Sequence, residues 1–519
     1  MGDWTLAGVV RHNGAEIGEA PAITYGETTI TWSELDRRSS RVAQRLLGAG
    51  VSAGDHVAMI DKNGPEFFDL LFGAGKIGAI CVPVNWRLAP QEMQFIVNDA
   101  EARVLVVGPD FLGQLEAFEA GLEGVKEVVT LVADGTHQDF ASWVEEGSES
   151  DPGTELSPEE VVIQLYTSGT TGLPKGAMLS NHNLGVLLQL REEWGLDPES
   201  VNLVAMPLFH IGGSGWALAG MSGGARSVLV REVVPAELLR TIQAERVTNA
   251  FLVPAVLQML CALPGAADGD FSALRSIHYG ASPITDQALN DAIRTFGCDL
   301  IQVYGLTETT GAITQLDAAH HDPDGPRRHL MRSAGRPYPW VELRVVDPET
   351  GTDRRPGEIG ELWTRSEQNM VGYWHRPEAN AEVFTTDGWF RTGDGGYLDE
   401  DGFVFLTDRI KDMIVSGGEN IYPAEVENVL AGHPHVADVA VIGVPDERWG
   451  EAVKAMVVPR PGAEADAADI ISYCRDRLAH YKCPRSVDLV AELPRNPSGK
   501  ILKRELREPF WAGRRRRIN

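Results

Sequence analysis

Hydroxyl side chains at Thr167, Ser168, Thr170 and Thr171 are interspersed with Gly169 and Gly172 in the segment Tyr166-Thr-Ser-Gly-Thr-Thr-Gly-Leu-Pro-Lys-Gly176, and Lys175 adds a cation at its end. Glycines let backbone N–H groups approach an anion closely, hydroxyls add donors and the lysine adds charge, which is what a polyphosphate cradle requires. The segment is not a Walker loop, because that pattern is G-x-x-x-x-G-K-[ST] and here Lys175 follows Gly172 by three residues. A flexible Ser/Thr/Gly surface loop is the plain alternative.

Other clusters could contribute to the same chemistry. In Tyr304-Gly-Leu-Thr-Glu-Thr309, the tyrosine could stack on a base and Glu308 could hold Mg²⁺. In Trp389-Phe-Arg-Thr-Gly-Asp394, with Thr407-Asp-Arg409 behind it, a carboxylate and an arginine could bind ribose hydroxyls. Ser416-Gly-Gly-Glu-Asn420 and Pro494-Arg-Asn-Pro-Ser-Gly-Lys500 complete the set, and each of these segments taken alone also reads as an ordinary turn. Gly73-Ala-Gly-Lys-Ile-Gly78 fits the dinucleotide fingerprint, yet it ends an apolar helical run instead of following a strand, so helix packing explains its glycines better. Gly212-Gly-Ser-Gly-Trp216 fails the hydrolase elbow at its last position. His320-His321 and His433-x-His435 sit in polar loop sequence without metal spacing, and solvent exposure is expected for them.

The elements that must position these residues alternate strand-like and helix-like runs. Val57–Ile60, a helix over Pro65–Gly75, Ala79–Val84, Val161–Tyr166, Ser227–Val230, Ala250–Val253 and Ser276–Tyr279 read as α/β. Shorter strands with Asp387-Gly388 and Asp401-Gly402 turns predict a β-rich subdomain over about 358–406. A new unit with its own strand (Val439–Ile442), helix (Ala467–Leu478) and basic tail begins after the polar stretch 407–412.

With 519 residues the chain is too long for one core. Lys+Arg 46 against Asp+Glu 74 gives −28, a field that argues against nucleic-acid binding and requires any polyanionic ligand to be met locally. Five scattered cysteines without C-x-x-C suggest neither disulfides nor zinc, so a cytoplasmic setting is expected. The uncharged stretch from Ser200 to Ala225 holds Pro207, His210 and six glycines, which reads as buried core and not as a membrane span.

Taken in order, the five segments resemble the signature of the adenylate-forming superfamily of acyl-CoA synthetases, aryl-CoA ligases, luciferases and peptide-synthetase adenylation domains. The resemblance spans nearly the whole chain and is strongest to bacterial fatty-acyl-CoA synthetases, through Phe209-His210, Asp408-Arg-Ile-Lys-Asp412 and Ser416-Gly-Gly-Glu-Asn-Ile-Tyr-Pro423. It implies a large N-terminal domain (1–407) of two α/β sheet subdomains plus a β-rich one, a hinge (408–412) at Lys411 and a small mobile α+β C-terminal domain (413–519). It also implies ATP, Mg²⁺ and coenzyme A. Mg²⁺ would be held by Glu308 and Thr167, the β/γ-phosphates by Lys175 and residues 167–172, and the attacking carboxylate and α-phosphate by Lys500. Asp394 would accept the ribose hydroxyls, Arg409 would contact ribose or phosphate, Tyr304 would flank adenine and Thr307 would touch the α-phosphate. Gly280, Ala281 and Gly305 would border both nucleotide and acid.

By the same resemblance the acid pocket is expected among His210, Gly213, Gly215, Trp216, Val253 and Tyr279, without a second cation, which suits a hydrophobic monocarboxylate. His210 falls where the family often has a gate, although a satisfied core histidine is the alternative. Coenzyme A would meet Arg87, Tyr481 and Lys482, and Ser416, Gly417, Gly418 and Glu419 would line its tunnel. The expected activity is ATP-dependent acyl-CoA ligation of a medium- or long-chain acid. The alternatives are an aryl- or alicyclic-acid CoA ligase and, from another class, a non-catalytic nucleotide-binding module. The expected partners are small molecules, with a homodimer and peripheral membrane contact left open.

Overall fold

Short runs that are buried on both faces must be covered by helices on both sides, and His56–Ile60, Ile80–Pro83 and Val104–Val107 meet that condition. They pair in parallel in the computed structural model, which describes residues 4–167, 174–282, 284–348, 350–409, 412–416, 419–446, 448–495 and 501–512. Of the residues singled out above, Ser168, Gly169, Thr170, Thr171, Gly172, Lys411, Gly417, Gly418 and Lys500 lie outside the described residues, as do the side chains of Arg409 and Glu419.

The chain divides into two compact units. The first comprises Met1–Ala281, Asp291–Ala318 and Ser366–Phe384, and the second Ser282–Asn290, Ala319–Arg365 and Thr385–Asn519. The stretch 408–412 falls within the second unit. In the first unit, one sheet runs Gly372–Tyr373, Lys175–Ser180, Val161–Thr167, Ile80–Pro83, His56–Ile60, Val104–Val107, Glu127–Thr130 and Gln138–Asp139. Another runs Gly311–Leu316, Asp299–Leu306, Ser276–Gly280, Asn249–Leu252, Val201–Val204, Arg226–Leu229, Pro21–Tyr25 and Thr28–Thr31. In the second unit an antiparallel sheet carries Glu342–Val346, Gly360–Arg365, Phe390–Leu398 and Val404–Arg409. A further sheet there, built on Val436–Asp446 and Gly450–Pro459, has a core of Ile414, Ile421, Val426, Leu430, Val441 and Val453. The fold is thus mixed α/β with several sheets, and Gly388 and Gly402 take φ of +86° and +81° in the β-rich region.

The helix Pro65–Gly75 ends inside the G-x-G-x-x-G match, and a Cβ on Gly73 would lie 2.6 Å from Val42 Cγ1 of the helix Trp32–Gly48. That glycine is a helix-packing residue. The uncharged stretch forms the strand Val201–Val204 and the buried helix Ile211–Ser222, and no helix among the described residues is long and apolar enough to cross a membrane.

The expected exposure of the histidine pairs needs correction: His321 is buried and His433 is only 2% exposed. His433 Nδ1 accepts from the His435 backbone N–H (3.2 Å), and its Nε2 lies 3.1 Å from Asp469 Oδ2. This pattern assigns the ring proton to Nε2 and ties the loop to the helix Ala467–Arg475. Asp469 is distant in sequence, so local polarity could not reveal that burial.

Candidate active site

The antiparallel register of Val161–Thr167 with Lys175–Ser180 places Thr167 opposite Lys175, so both ends of the hydroxyl-rich segment leave the sheet side by side. Gly176 is needed there, since a Cβ would sit 2.4 Å from Gln164 Nε2. A polar chain braces these strands from behind. His56 Nε2 lies 3.1 Å from Gln164 Oε1, Gln164 Nε2 donates to Tyr166 Oη (3.1 Å), and Tyr166 Oη donates to Asp99 Oδ2 (2.8 Å). Asp99 also pairs with Arg376, and its backbone carbonyl accepts from Trp374 Nε1 at 3.0 Å. Burial, followed by the Asp99 charge, pushes the Tyr166 hydroxyl well above its ordinary range, so it stays a donor.

Glu308 sits on a 3₁₀ turn, Thr307–Thr309, at the end of the strand Asp299–Leu306. The turn is closed by Thr309 Oγ1, which accepts from Leu306 N (2.9 Å) and lies 2.8 Å from Gly311 O. A Cβ on Gly305 would fall 1.8 Å from Gly311 O, so glycine is required there. Gln368 Nε2 donates to the carbonyls of Thr309 (2.8 Å) and Ala312 (2.9 Å), and Met370 N donates to Glu308 O (2.8 Å). Glu308 Oε1 accepts from Tyr373 Oη (2.8 Å) and Thr167 Oγ1 (3.4 Å), while Lys175 Nζ stands 5.3 Å from the Tyr373 ring centroid. The structure therefore brings Thr167, Lys175 and Glu308 together. The carboxylate and hydroxyl oxygens are the hard donors that Mg²⁺ prefers, so these residues fit that ion. Tyr304 is buried on the strand leading to the turn.

A cavity of about 80 Å³ lies in the same unit. Of the residues expected to wall the acid, Gly215, Trp216, Ala281 and Gly305 line it, as do Ile211 and Gly212 from the same 210–216 stretch, together with Leu187, Trp194, Phe251, Val303, Gly311 and Ala312, which the sequence did not suggest. His210, Gly213, Val253, Tyr279 and Gly280 are not among the lining residues. Gly213 serves packing instead, since its Cβ would lie 2.2 Å from Pro207 O. Ala281 holds φ of +64°, a strained conformation for a non-glycine residue and one of the kind that collects at functional sites. The Trp194 and Trp216 ring centroids are 5.3 Å apart, and each indole nitrogen is satisfied, by Gln315 Oε1 and Leu203 O respectively (2.9 Å each). His278 packs on both rings at 4.9 and 5.0 Å, and burial drives its pKa down to about 3. His210 occupies the N-cap position of Ile211–Ser222 without a side-chain cap hydrogen bond, and burial, then the Arg87 charge, lowers it to about 4. Both rings are neutral at pH 7. Arg87 stacks over Trp86 at 4.5 Å.

In the second unit the strand register pairs Asp394 with Arg409, so the two residues expected near the ribose leave one ladder. Ser416, buried, pairs with Glu419 across a hairpin and with Gly450. The Lys482 ammonium contacts both Glu425 oxygens at 2.7 Å, which neutralises its charge locally, while Tyr481 is exposed. The Trp449 ring carries two guanidinium groups, Arg448 at 4.7 Å and Arg485 at 4.9 Å. The Arg448-Trp449 dipeptide was the available sequence signal for this cluster, but Arg485 joins it only in the fold.

Family models match residues 10–374 as an AMP-binding enzyme and residues 425–500 as an AMP-binding enzyme C-terminal domain. The fatty acid–[acyl-carrier-protein] ligase ScoC of Streptomyces coeruleorubidus is 41% identical over 505 residues, covering 96% of this chain and 95% of its own. A feruloyl-CoA synthase of an Amycolatopsis species is 39% identical, with 95% of this chain and 96% of its own covered. The solved structure of the anthranilate CoA ligase AuaEII in complex with anthranoyl-AMP superposes with a TM-score of 0.90 at 28% identity, covering 98% of both chains. The chain therefore belongs to the AMP-binding enzymes, the superfamily of adenylate-forming acid ligases.

Proposed function

We propose that this enzyme joins a hydrophobic carboxylic acid to coenzyme A in two steps. The carboxylate attacks the α-phosphorus of ATP, releasing pyrophosphate and forming an acyl-adenylate. The thiol of coenzyme A then takes the acyl group, releasing AMP. The supporting observation is the cluster of Thr167, Lys175 and Glu308 at the root of the hydroxyl- and glycine-rich segment, in the same unit as an apolar cavity. The first step brings two anions together in a chain of charge −28, so local cations must offset their repulsion. Lys175 supplies one. Mg²⁺ bound by Glu308 and Thr167 would supply polyphosphate charge neutralisation, and Lys500 is proposed to reach the attacking carboxylate. Residues 408–412 are proposed as the hinge between residues 1–407 and a mobile segment 413–519.

The cavity lining carries no cation, which favours an uncharged acid tail. Its three aromatic residues, Trp194, Trp216 and Phe251, favour an aryl acid over a long alkyl chain, and the feruloyl-CoA relative agrees with that second reading. Trp449 with Arg448 and Arg485 offers a flat ring and cations suited to the nucleotide of coenzyme A. Pyrophosphate release should depend on both acid and ATP, and AMP release on coenzyme A. A panel of aryl, alicyclic and C6–C16 acids separates the two acid classes, and no pyrophosphate release with any of them would refute acid activation.

A further inference from the structure

We propose that Tyr373 is a positioning residue that presents Glu308 to a divalent cation through one oxygen only, and so tunes the site to Mg²⁺ over larger ions. The proposal rests on the reading of Glu308 as a cation ligand. Its basis is an asymmetry in the carboxylate. Oε1 accepts from Tyr373 Oη at 2.8 Å and from Thr167 Oγ1 at 3.4 Å, whereas no hydrogen bond to Oε2 is found among the described residues. The Tyr373 hydroxyl, at normal hydrogen-bond length and with the longer Thr167 contact beside it, restrains the rotation of the carboxylate and draws on the lone pairs of that oxygen. A cation therefore takes Oε2, and chelation by both oxygens would have to break the Tyr373 hydrogen bond, which is charge-assisted.

The two ligation modes suit different ions. Mg²⁺ is small, holds near-ideal octahedral geometry and keeps several waters, so one carboxylate oxygen suffices. Ca²⁺ takes more ligands in a looser shell and readily accepts bidentate carboxylates. A device that forbids chelation discriminates against the larger ion.

Tyr373 is built for such a role. Gly372–Tyr373 pairs with the strand Lys175–Ser180, with Tyr373 opposite Ala177, so its position is referenced to the element that carries Lys175. Asn380 clamps its backbone on both sides: Oδ1 accepts from Tyr373 N at 2.7 Å and Nδ2 donates to Tyr373 O at 3.1 Å. The ring does a second job. Lys175 Nζ lies 5.3 Å from its centroid, and among the described residues Lys175 forms no ion pair. One side chain thus engages the carboxylate with its hydroxyl and the ammonium with its ring face, which keeps the two from cancelling each other.

The test uses the full-length protein and Mn²⁺ as the probe, bound with a non-hydrolysable ATP analogue and detected by electron paramagnetic resonance, with Mg²⁺ and Ca²⁺ as competitors. In Tyr373→Phe, which keeps the ring, Mg²⁺ should compete about tenfold less well relative to Ca²⁺ than in the parent. The unfolding temperature measured without metal or nucleotide should stay the same. Tyr373→Ala should add weaker analogue binding through the loss of the ring beside Lys175. If Tyr373→Phe fails to fold, Asn380→Ala, which loosens the clamp and keeps the hydroxyl, should move the ratio in the same direction. A Mg²⁺/Ca²⁺ ratio unchanged within about twofold in the folded variant overturns the proposal. So does a parent protein that binds no Mn²⁺ with the analogue. Selective binding in a protein that activates no acid would leave this inference standing and refute the ligase reading.

Discussion

Lys175 and Glu308 carry opposite charges and both meet Tyr373, the ammonium at 5.3 Å from its ring centroid and the carboxylate through a 2.8 Å hydrogen bond from its hydroxyl, and no ion pair between the two is found among the described residues. Both charges stay available to a ligand that brings phosphate and a metal together. Lys500, by contrast, is proposed to act only on the first step, where charge builds as the carboxylate meets the α-phosphate. Lys500→Ala should therefore reduce acid-dependent pyrophosphate release by about 10²- to 10³-fold, as removal of a single transition-state donor does elsewhere. It should largely preserve thioester formation from supplied acyl-adenylate. Equal loss in both half-reactions, measured separately, would contradict a role confined to the first. At this scale the sequence was most legible where the chemistry is local. Thr167 and Lys175 share one segment, so their proximity was readable from spacing, whereas the approach of Glu308 from another sheet was expected only through the family resemblance. Tyr373 and Trp194 were illegible because their meaning depends on partners far along the chain: Glu308 for one, and Gln315, Trp216 and His278 for the other.

At the scale of elements, strands buried on both faces and the helix Pro65–Gly75 were readable from apolar runs, since burial on both faces leaves no alternation to misread. The acid pocket was only half readable. Its glycines Gly215 and Gly305 stand in recognisable motifs, but Phe251 comes from a neighbouring strand and Trp194 from the turn after a short helix, contributions that depend on sheet order and not on local pattern. Trp194 packs tightly on Trp216 with its indole nitrogen satisfied, so it forms a fixed wall. Trp194→Ala should cost about 3–5 kcal/mol in denaturant unfolding, from lost burial and the cavity left behind. It should also shift kcat/KM toward bulkier or longer acids by about tenfold or more. An acid profile identical to the parent's would mean that this cavity does not hold the acid.

For the whole molecule the decisive charges are those the fold keeps from forming. His56 and His278 are buried and His210 is half-buried, and desolvation lowers the pKa of all three, to about 4 for His210 and about 3 for His278. Above the ordinary value of 6.5 these rings are neutral whether the chain is folded or not. As the pH falls below that value the unfolded chain takes up protons that the folded protein refuses, so stability is complete above pH 6.5 and declines with acidification. At pH 5 the loss amounts to about 2 kcal/mol each for His210 and His278. His137 acts in the opposite sense: burial opposes its charge, but hydrogen bonds to Asp134 and Glu119 raise its pKa, so it gains stability as it protonates. The raw pH dependence is therefore a difference between opposing contributions, and a variant is needed to isolate one of them. His278→Phe keeps a ring packed against both Trp194 and Trp216 and removes two buried nitrogens that lack hydrogen-bond partners among the described residues. Urea unfolding of parent and variant at pH 7.5 and 5.0 should show the variant losing about 2 kcal/mol less on acidification. Parallel losses in the two proteins would mean that His278 is already protonated in the folded state at pH 5, and the picture of a neutral imidazole held behind the cavity wall would fall.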